Sequence, residues 1–379
     1  KKIKFFLLKK NSIVGDLEKN FNILKNSFIK CSRSNCDFFL TTELFLTGYP
    51  PQDLILRNDF LLRVQYYKNK ILHLTQKKKT ILLLNIPEKR NNKIFNTLFL
   101  LKDGQVIFKK NKSILPNYGV FDEKRYFTSG IIEDSVFEYK NKKIKFLICE
   151  EMWSSEYIKD CKKEVDLLIC INASPYEINK YLEREKVAIK CTKTFNSNLI
   201  YLNYVGCQDE LIFDGGSFVM NEKGNTIYRG DFFKESEIII SLDELQSKKR
   251  VFKSLNNLEN LYSALIYSLK FYMKNNNFKK AIIGLSGGID SALCLMIAVD
   301  ALKSENVDCF YLPTIYNSQQ SKKDASLLSQ NLNVKMSVIS IEDLRKNTVS
   351  QLAPFFKKLP DDITEENLQS RLRGLILMA

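Results

Sequence analysis

The stretch KFLICEEMW, residues 145–153, is an apolar run that ends on Cys149 and passes at once into Glu150 and Glu151. Its alternation stops where a polar, helix-compatible segment begins, so it reads as a strand, KKIKFLIC, backed by a helix through EEMWSSEYIKDCKKE. A strand-to-helix junction exposes a nucleophile and sets backbone N–H groups beside it. A thiol near pKa 8.5 still needs a base or a cation to react. The chain has one histidine, His73, in KILHLTQ.

The same alternation of strands and helices runs outward over the first 240 or so residues. KKIKFFLL is a strand, and residues 16–30 form a helix with Leu17, Phe21, Leu24 and Phe28 on one face. CDFFLTTEL, TILLLNIPE, DLLICINAS and NLIYLNYVG are runs of buried-strand length, with a helix from about 177 to 196 between the last two. NTLFLLKDGQVIFKK around Asp103-Gly104, and later GSFVMNEKGNTIYRG, have the form of hairpins. Mixed pairing of this kind predicts a layered α/β domain. Periodicity fades through SLDELQSKKRVFKSLNN, the expected domain boundary. Beyond it comes an amphipathic helix with Leu258, Leu261, Leu265 and Leu269, then AIIGL, SALCLMIAVDAL, VDCFYLP, a helix, KMSVIS and a helix, the start of a doubly wound parallel sheet. The expected domains are residues 1–245 and 258–379.

Composition agrees with two packed cores. The chain has 379 residues, 45% hydrophobic and 27% charged, which excludes a disordered chain. No apolar run reaches the ~18–20 residues of a membrane span, so a cytoplasmic protein without a membrane partner is expected. Nine cysteines, odd in number and without a CxxC pair, argue for reduced thiols rather than a disulfide framework or a zinc site. The net charge of +15 is spread along the chain with no basic arm, so it favours anionic small molecules and no nucleic-acid partner is expected.

Cys149 alone reads better as an inert core thiol than as a nucleophile. Two other strand ends carry isolated charges, however: Glu43 after FFLTT and Lys112 after VIFKKN. Charges at strand ends converge on one edge of a sheet. There a carboxylate can take the thiol proton, and a lysine can favour the thiolate and hold an oxyanion, with no histidine. Glu43 in ELFLTGYPPQDLILR, Lys112 in KSILPNYGVFDEKRYF and Cys149 in ICEEMW resemble the Glu-Lys-Cys set of the nitrilase-like carbon-nitrogen hydrolases. With SPYEINK and VGCQDELIFDGGSF, residues 1–240 are similar to the glutaminase domain of glutamine-dependent NAD synthetases. The resemblance implies an α-β-β-α nitrilase-like sandwich in which Glu43 is base, Lys112 stabiliser and Cys149 the nucleophile that forms a thioester with glutamine. It further implies Tyr118, Ser174 and Lys180 as glutamine contacts, and Glu123 as a second carboxylate steadying the lysine. Thr42, Glu151 and Cys207 depart from the usual Pro, Asp and Gly of that pattern.

GLSGGIDSA, residues 284–292, follows a buried strand and opens a helix, offering free N–H groups and close backbone approach to an anion. No lysine follows the glycines, so it is not a Walker loop. Asp290 among phosphates demands a divalent cation, and Mg²⁺ is implied. SGGIDS resembles the signature of the ATP pyrophosphatases, with the adenine nucleotide alpha hydrolase-like fold; Gly284, Leu285, Ser286, Gly287, Gly288, Ile289, Asp290 and Ser291 are then the ATP loop. LPTIYNSQQSKKDA and TEENLQSRLRG look like NAD synthetase in particular. Thr364 is expected to cap a helix with Asn367 and Arg371 on one face, which the resemblance assigns to deamido-NAD. The expected reaction is glutamine-dependent, Mg-ATP-driven amidation of deamido-NAD to NAD, with release of AMP and pyrophosphate. An amidase with an inert second domain and a nucleotide-sensing binding module are the alternatives. The chain stops at LRGLILMA inside a helix, where the resemblance leads one to expect further sequence and homo-oligomerisation of the longer protein.

Overall fold

The computed structural model describes residues 3–132, 136–160, 164–243, 256–356 and 363–379. These form two compact units, Lys1–Asn257 and Leu258–Ala379. Most of the expected boundary segment lies outside the described residues.

In the first unit β1 (Lys4–Lys9), β2 (Phe38–Leu40), β3 (Ile81–Arg90), β4 (Lys93–Lys102) and β5 (Gln105–Asn111) belong to one six-stranded sheet. A second holds β6 (Phe137–Tyr139), β7 (Lys142–Ile148), β8 (Leu167–Asn172), β9 (Asn198–Asn203), β12 (Phe218–Met220) and β13 (Thr226–Arg229). β10 (Val205–Gln208) and β11 (Leu211–Asp214) pair by themselves, and β14 (Ser236–Ser241) returns to close the first sheet antiparallel to β1. Each sheet has a parallel trio, β1-β2-β3 or β7-β8-β9, flanked by antiparallel strands. Phe5, Leu7, Phe38, Leu40 and Leu83 of the first sheet pack against Ile144, Phe146, Ile148, Ile169 and Ile171 of the second. The opposite face of the first sheet is covered by α1 (Leu17–Arg33) and α2 (Asn58–Leu74), and that of the second by α3 (Ser155–Asp160) and α4 (Lys180–Phe195). The α-β-β-α sandwich follows: both faces of each sheet are apolar, so each needs a cover on both sides.

Three local readings change. α2 is a helix beyond those expected from the sequence, with Phe60, Leu61, Val64, Tyr67 and Ile71 buried at helical spacing. TILLLNIPE continues to Arg90 and turns at Asn91-Asn92, both with positive φ, into β4, giving a hairpin that the apolar run disguised. The helix expected directly after Cys149 is instead a 3-10 turn, Cys149–Met152, followed by the short α3; residues 161–163 lie outside the described residues.

The second unit contains α5 (Asn257–Asn275), β15 (Ala281–Gly284), α6 (Ile289–Leu302), β16 (Val307–Tyr311), α7 (Gln319–Asn331), β17 (Lys335–Val338), α8 (Glu342–Phe356) and α9 (Ile363–Met378). Its strands are parallel in the order β15-β16-β17, as the alternation predicts. The leucine face of α5 is only partly used: Leu269 packs on the core, whereas Leu258 is 76% exposed. Thr364 is the second residue of α9 rather than its cap.

Candidate active site

Four chain segments meet at the carboxyl ends of the sandwich strands. Glu43 lies three residues past β2, Lys112 directly past β5, Cys149 directly past β7, and Ser174 two residues past β8. Convergence was expected on one sheet edge; the structure draws Glu43 and Lys112 from the first sheet and Cys149 and Ser174 from the second.

Lys112 is fully buried, and its Nζ donates to Glu43 Oε1 at 2.7 Å and to both Glu123 oxygens at 2.9 and 2.8 Å. Burial alone would lower this ammonium, but Glu123, Glu43 and Cys149 outweigh it and hold the lysine charged, well above its usual value. Glu123 also accepts from the Tyr49 hydroxyl at 3.0 Å. Its own pKa is pushed up to about 7, by burial first, with Lys112 opposing and Glu43 adding.

Glu43 is positioned by side chains that sequence reasoning missed. Asn96 Nδ2 donates to Glu43 Oε1 at 2.9 Å, Asn85 Nδ2 donates to Asn96 Oδ1 at 2.7 Å, and Asn85 Oδ1 accepts from the Leu44 amide at 2.8 Å. The available signal was an asparagine inside each of two apolar strands, LLLNIP and FNTLFL, where a polar group must have a partner. Glu43 Oε2, by contrast, is buried and makes no hydrogen bond. A free carboxylate oxygen held in a closed site is what a general base requires.

Cys149 was expected to be exposed; it is 4% exposed. Its φ of 45° is left-handed, a conformation that costs a non-glycine residue roughly 1–3 kcal/mol and persists only where the surroundings impose it. The thiol is pushed well up, by burial first and then by Glu43, with Lys112 opposing. Lys112 pulls toward the thiolate, as expected, but burial first and then Glu43 outweigh it. The thiol stays protonated until a base takes its proton.

Ser174 is held by the fully buried Arg184 and by Asn203, whose Oδ1 accepts from the Ser174 amide at 2.9 Å. Arg184 Nε donates to Ser174 Oγ at 3.1 Å, and one terminal nitrogen donates to Ser174 O and Pro175 O at 3.0 and 2.7 Å. Its other terminal nitrogen binds both Asp214 oxygens at 2.9 and 2.7 Å. Ser174 Oγ thus accepts from Arg184 and keeps its own hydrogen to give. Tyr118 donates to Glu150 Oε2 at 2.9 Å, and Lys180 lies 5.1 Å from the Trp153 ring, bridging Glu177 and Glu183 at 3.7 and 3.2 Å. Glu150, whose pKa is raised by burial, feels Tyr118, Lys112 and Lys180, so Tyr118, Glu150 and Lys180 form one polar group beside the thiol. Glu150 was not singled out in the sequence. A cavity of about 270 Å³ borders Glu123 and Tyr49 but not Cys149. His73 is exposed on α2, its ring nitrogen 3.2 Å from Gln76 Nε2.

In the second unit the loop after β15 is tied by its own serines. Ser291 Oγ accepts from the Ser286 amide at 3.2 Å and donates to Gly288 O at 3.0 Å, while Ser286 Oγ accepts from the Gly288 amide at 3.2 Å. Gly287 has φ +86°, and a Cβ there would lie 2.2 Å from Ser321 O, in the first turn of α7. Leu285 is buried in the core, so it offers a ligand its backbone only, whereas Ile289 is 80% exposed. Asp290, in the first turn of α6, is exposed and has no hydrogen-bond partner among the described residues. No group of three or more metal-ligating His, Cys, Asp or Glu side chains occurs among the described residues. A cavity of about 210 Å³ joins Gly284, Leu285 and Ser286 to Tyr311, Leu312, Asn317 and Arg373. Arg373 donates there to Leu312 O at 3.1 Å and Asn317 Oδ1 at 3.3 Å. Asn367 and Arg371 do not share it; they line a separate cavity of about 280 Å³ with Val349 and Leu352 of α8.

Comparison with known proteins matches residues 10–250 to the carbon-nitrogen hydrolase family and residues 261–379 to the NAD synthase family. A glutamine-dependent NAD(+) synthetase of Acinetobacter baylyi is 35% identical over 383 residues, covering 100% of this chain and 70% of its own length. That of Synechocystis sp. is 36% identical, covering 97% and 70%. The solved glutamine-dependent NAD+ synthetase of Acinetobacter baumannii, in complex with ADP, superposes with a TM-score of 0.94 at 35% identity, over 100% of this chain and 72% of that one.

Proposed function

Because the chain belongs to the glutamine-dependent NAD(+) synthetases, we propose that Cys149, Glu43 and Lys112 release ammonia from glutamine and that the loop Gly284–Ser291 holds the ATP that activates deamido-NAD. The observation that carries the first half is the buried, hydrogen-bond-free Glu43 Oε2 beside a protonated thiol, with its other oxygen on Lys112. Cys149 Sγ attacks the side-chain amide carbon of glutamine as Glu43 takes the thiol proton. Lys112 stabilises the tetrahedral oxyanion, since its ammonium is held charged and already desolvated. Glu43 returns the proton to the departing nitrogen, ammonia leaves, and a thioester remains. Water, deprotonated by Glu43, then attacks the thioester; glutamate leaves and the thiol is restored.

Tyr118, Ser174 and Lys180 are the proposed glutamine contacts. Ser174 has a hydroxyl hydrogen to donate, and Lys180 brings a cation suited to the α-carboxylate, with Glu150 beside it for the α-ammonium. In the second unit the backbone of Ser286, Gly287 and Gly288 faces the phosphates. Asp290 would hold Mg²⁺ there, and the cation would supply neutralisation of the phosphate charge. The nicotinate carboxylate of deamido-NAD attacks the α-phosphorus of ATP and expels pyrophosphate; ammonia then displaces AMP to give NAD. Asn367 and Arg371 are kept as deamido-NAD contacts, reached from their own cavity.

The test is pyrophosphate exchange into ATP measured with and without deamido-NAD, alongside glutamate release from glutamine. Exchange that depends on deamido-NAD and survives in Cys149→Ala, with glutamate release lost, is expected. Exchange independent of deamido-NAD, or glutamine hydrolysis in Cys149→Ala, refutes the assignment.

A further inference from the structure

Two groups that must meet at one carbonyl come from different sheets: Lys112 follows β5 of the first, Cys149 follows β7 of the second. No strand pairing joins β5 to β7, so the backbone ladders do not set the distance between thiol and ammonium. Side chains span the gap, with Glu151 at their centre. Glu151 is fully buried, and its Oε2 accepts from the Ile148 amide at 2.8 Å and from Lys110 Nζ at 2.7 Å. Its Oε1 accepts from the Ser113 amide at 2.9 Å and the Ser113 hydroxyl at 2.8 Å. These donors bracket both reacting groups: Ile148 immediately precedes the thiol, Ser113 immediately follows the ammonium, and Lys110 stands two residues before it. Lys110 closes the ring, donating also to Phe146 O of β7 at 3.1 Å and to the Tyr157 hydroxyl of α3 at 2.9 Å.

We propose that Glu151 is a positioning residue for amide hydrolysis: with Lys110 and Ser113 it locks the left-handed Cys149 elbow against the strand end that carries Lys112. The inference rests on the reading of Cys149 as nucleophile and Lys112 as oxyanion partner. Its physical basis is that a carboxylate saturated by four donors from both sheets has no freedom to drift, and that the Cys149 backbone is strained and needs such a hold. Misplacing a reacting group by about 1 Å costs on the order of 10²-fold in rate. The hydrogen bonds of Glu151 go to Ile148, Ser113 and Lys110 rather than to the thiol or the Lys112 ammonium, so its effect passes through Ile148 and Ser113. It therefore governs kcat and thiol reactivity rather than glutamine affinity.

Glu151→Gln keeps the shape but turns an amide nitrogen toward donors on one side, either Ser113 or the Lys110 and Ile148 pair. Three quantities are measured on folded protein: kcat and KM for glutamine hydrolysis, the melting temperature, and the rate at which iodoacetamide alkylates Cys149. A fall in kcat of about 30-fold or more, KM within about threefold, and alkylation slowed about tenfold are expected from a displacement of this order. Ser113→Ala, which deletes one of the four bonds and no charge, covers the case in which Glu151→Gln does not fold; a fall in kcat above about threefold at unchanged melting temperature is expected. If the folded variants lower only the melting temperature and keep kcat and alkylation within about threefold of wild type, Glu151 is a structural ion-pair member and the proposal is overturned. If the wild type itself hydrolyses no glutamine, the underlying reading of the site fails instead, which the wild-type arm reports separately.

Discussion

Replacing Glu43 by glutamine removes the base while sparing the geometry around it. The introduced amide oxygen can still accept from Lys112 Nζ and Asn96 Nδ2, the bonds now at 2.7 and 2.9 Å, and its NH₂ takes the place of the partnerless Oε2. Lys112 keeps both bonds to Glu123, so the oxyanion partner stays in place. What is lost is proton transfer from a thiol that burial holds protonated. A positioned general base contributes about 10²–10⁴-fold, and at about 1.4 kcal/mol per decade this raises the barrier by roughly 3–5 kcal/mol. Steady-state glutamine hydrolysis, followed as glutamate release, should show the whole loss in kcat, with KM within about threefold because no glutamine contact changes. A Glu43→Gln protein, folded and within tenfold of wild-type kcat, would refute Glu43 as the base.

Other outcomes follow from the same geometry. Glu123 has a folded pKa of about 7 against 4.5 ordinarily; its protonated form is the one the fold favours, so its stabilising contribution is present below 4.5 and lost as pH rises through about 7. The melting temperature of Glu123→Gln relative to wild type should accordingly rise between those pH values in thermal scans, and a flat difference would contradict the raised pKa. His73→Gln should hydrolyse glutamine within a few-fold of wild type, because the ring is on the outer face of α2; a collapse in the folded variant would instead demand a Cys-His mechanism. Gly287→Ala places a Cβ against Ser321 O at a left-handed φ, so ATP-pyrophosphate exchange should be lost; retained exchange would mean the loop does not hold phosphate.

The fold was legible where pattern and chemistry coincide. Strand-length apolar runs gave most of the parallel strands, and the glycine-serine loop at residues 284–292 located the switch from β15 to α6. Glu43, Lys112 and Cys149 were findable because each is a charged or reactive side chain at the end of an apolar run. What the pattern could not express was which sheet each strand would join: β5 and β7 both read as strands, yet they lie in different layers. Nor does residue type reveal charge balance. One lysine beside one cysteine suggests a thiolate, whereas burial first, and then Glu43, push the thiol up against the pull of Lys112. Asn85, Asn96, Glu151 and Arg184 escaped because buried polar residues are recognised by their partners, which sequence spacing does not supply. Arg371 and Arg373 show the same limit on a smaller scale: two residues apart on α9, they face different cavities.

Acylation of Cys149 by glutamine is the step on which the proposed hydrolysis turns. A glutamine-shaped diazoketone, which alkylates a thiol positioned to attack the side-chain amide carbon, tests it directly when the modified protein is digested and the adduct mapped by mass spectrometry. One adduct per chain is expected, on Cys149, suppressed by excess glutamine and absent from Cys149→Ala. An adduct on Cys207, Cys170 or any other cysteine, or labelling that glutamine does not suppress, would contradict it.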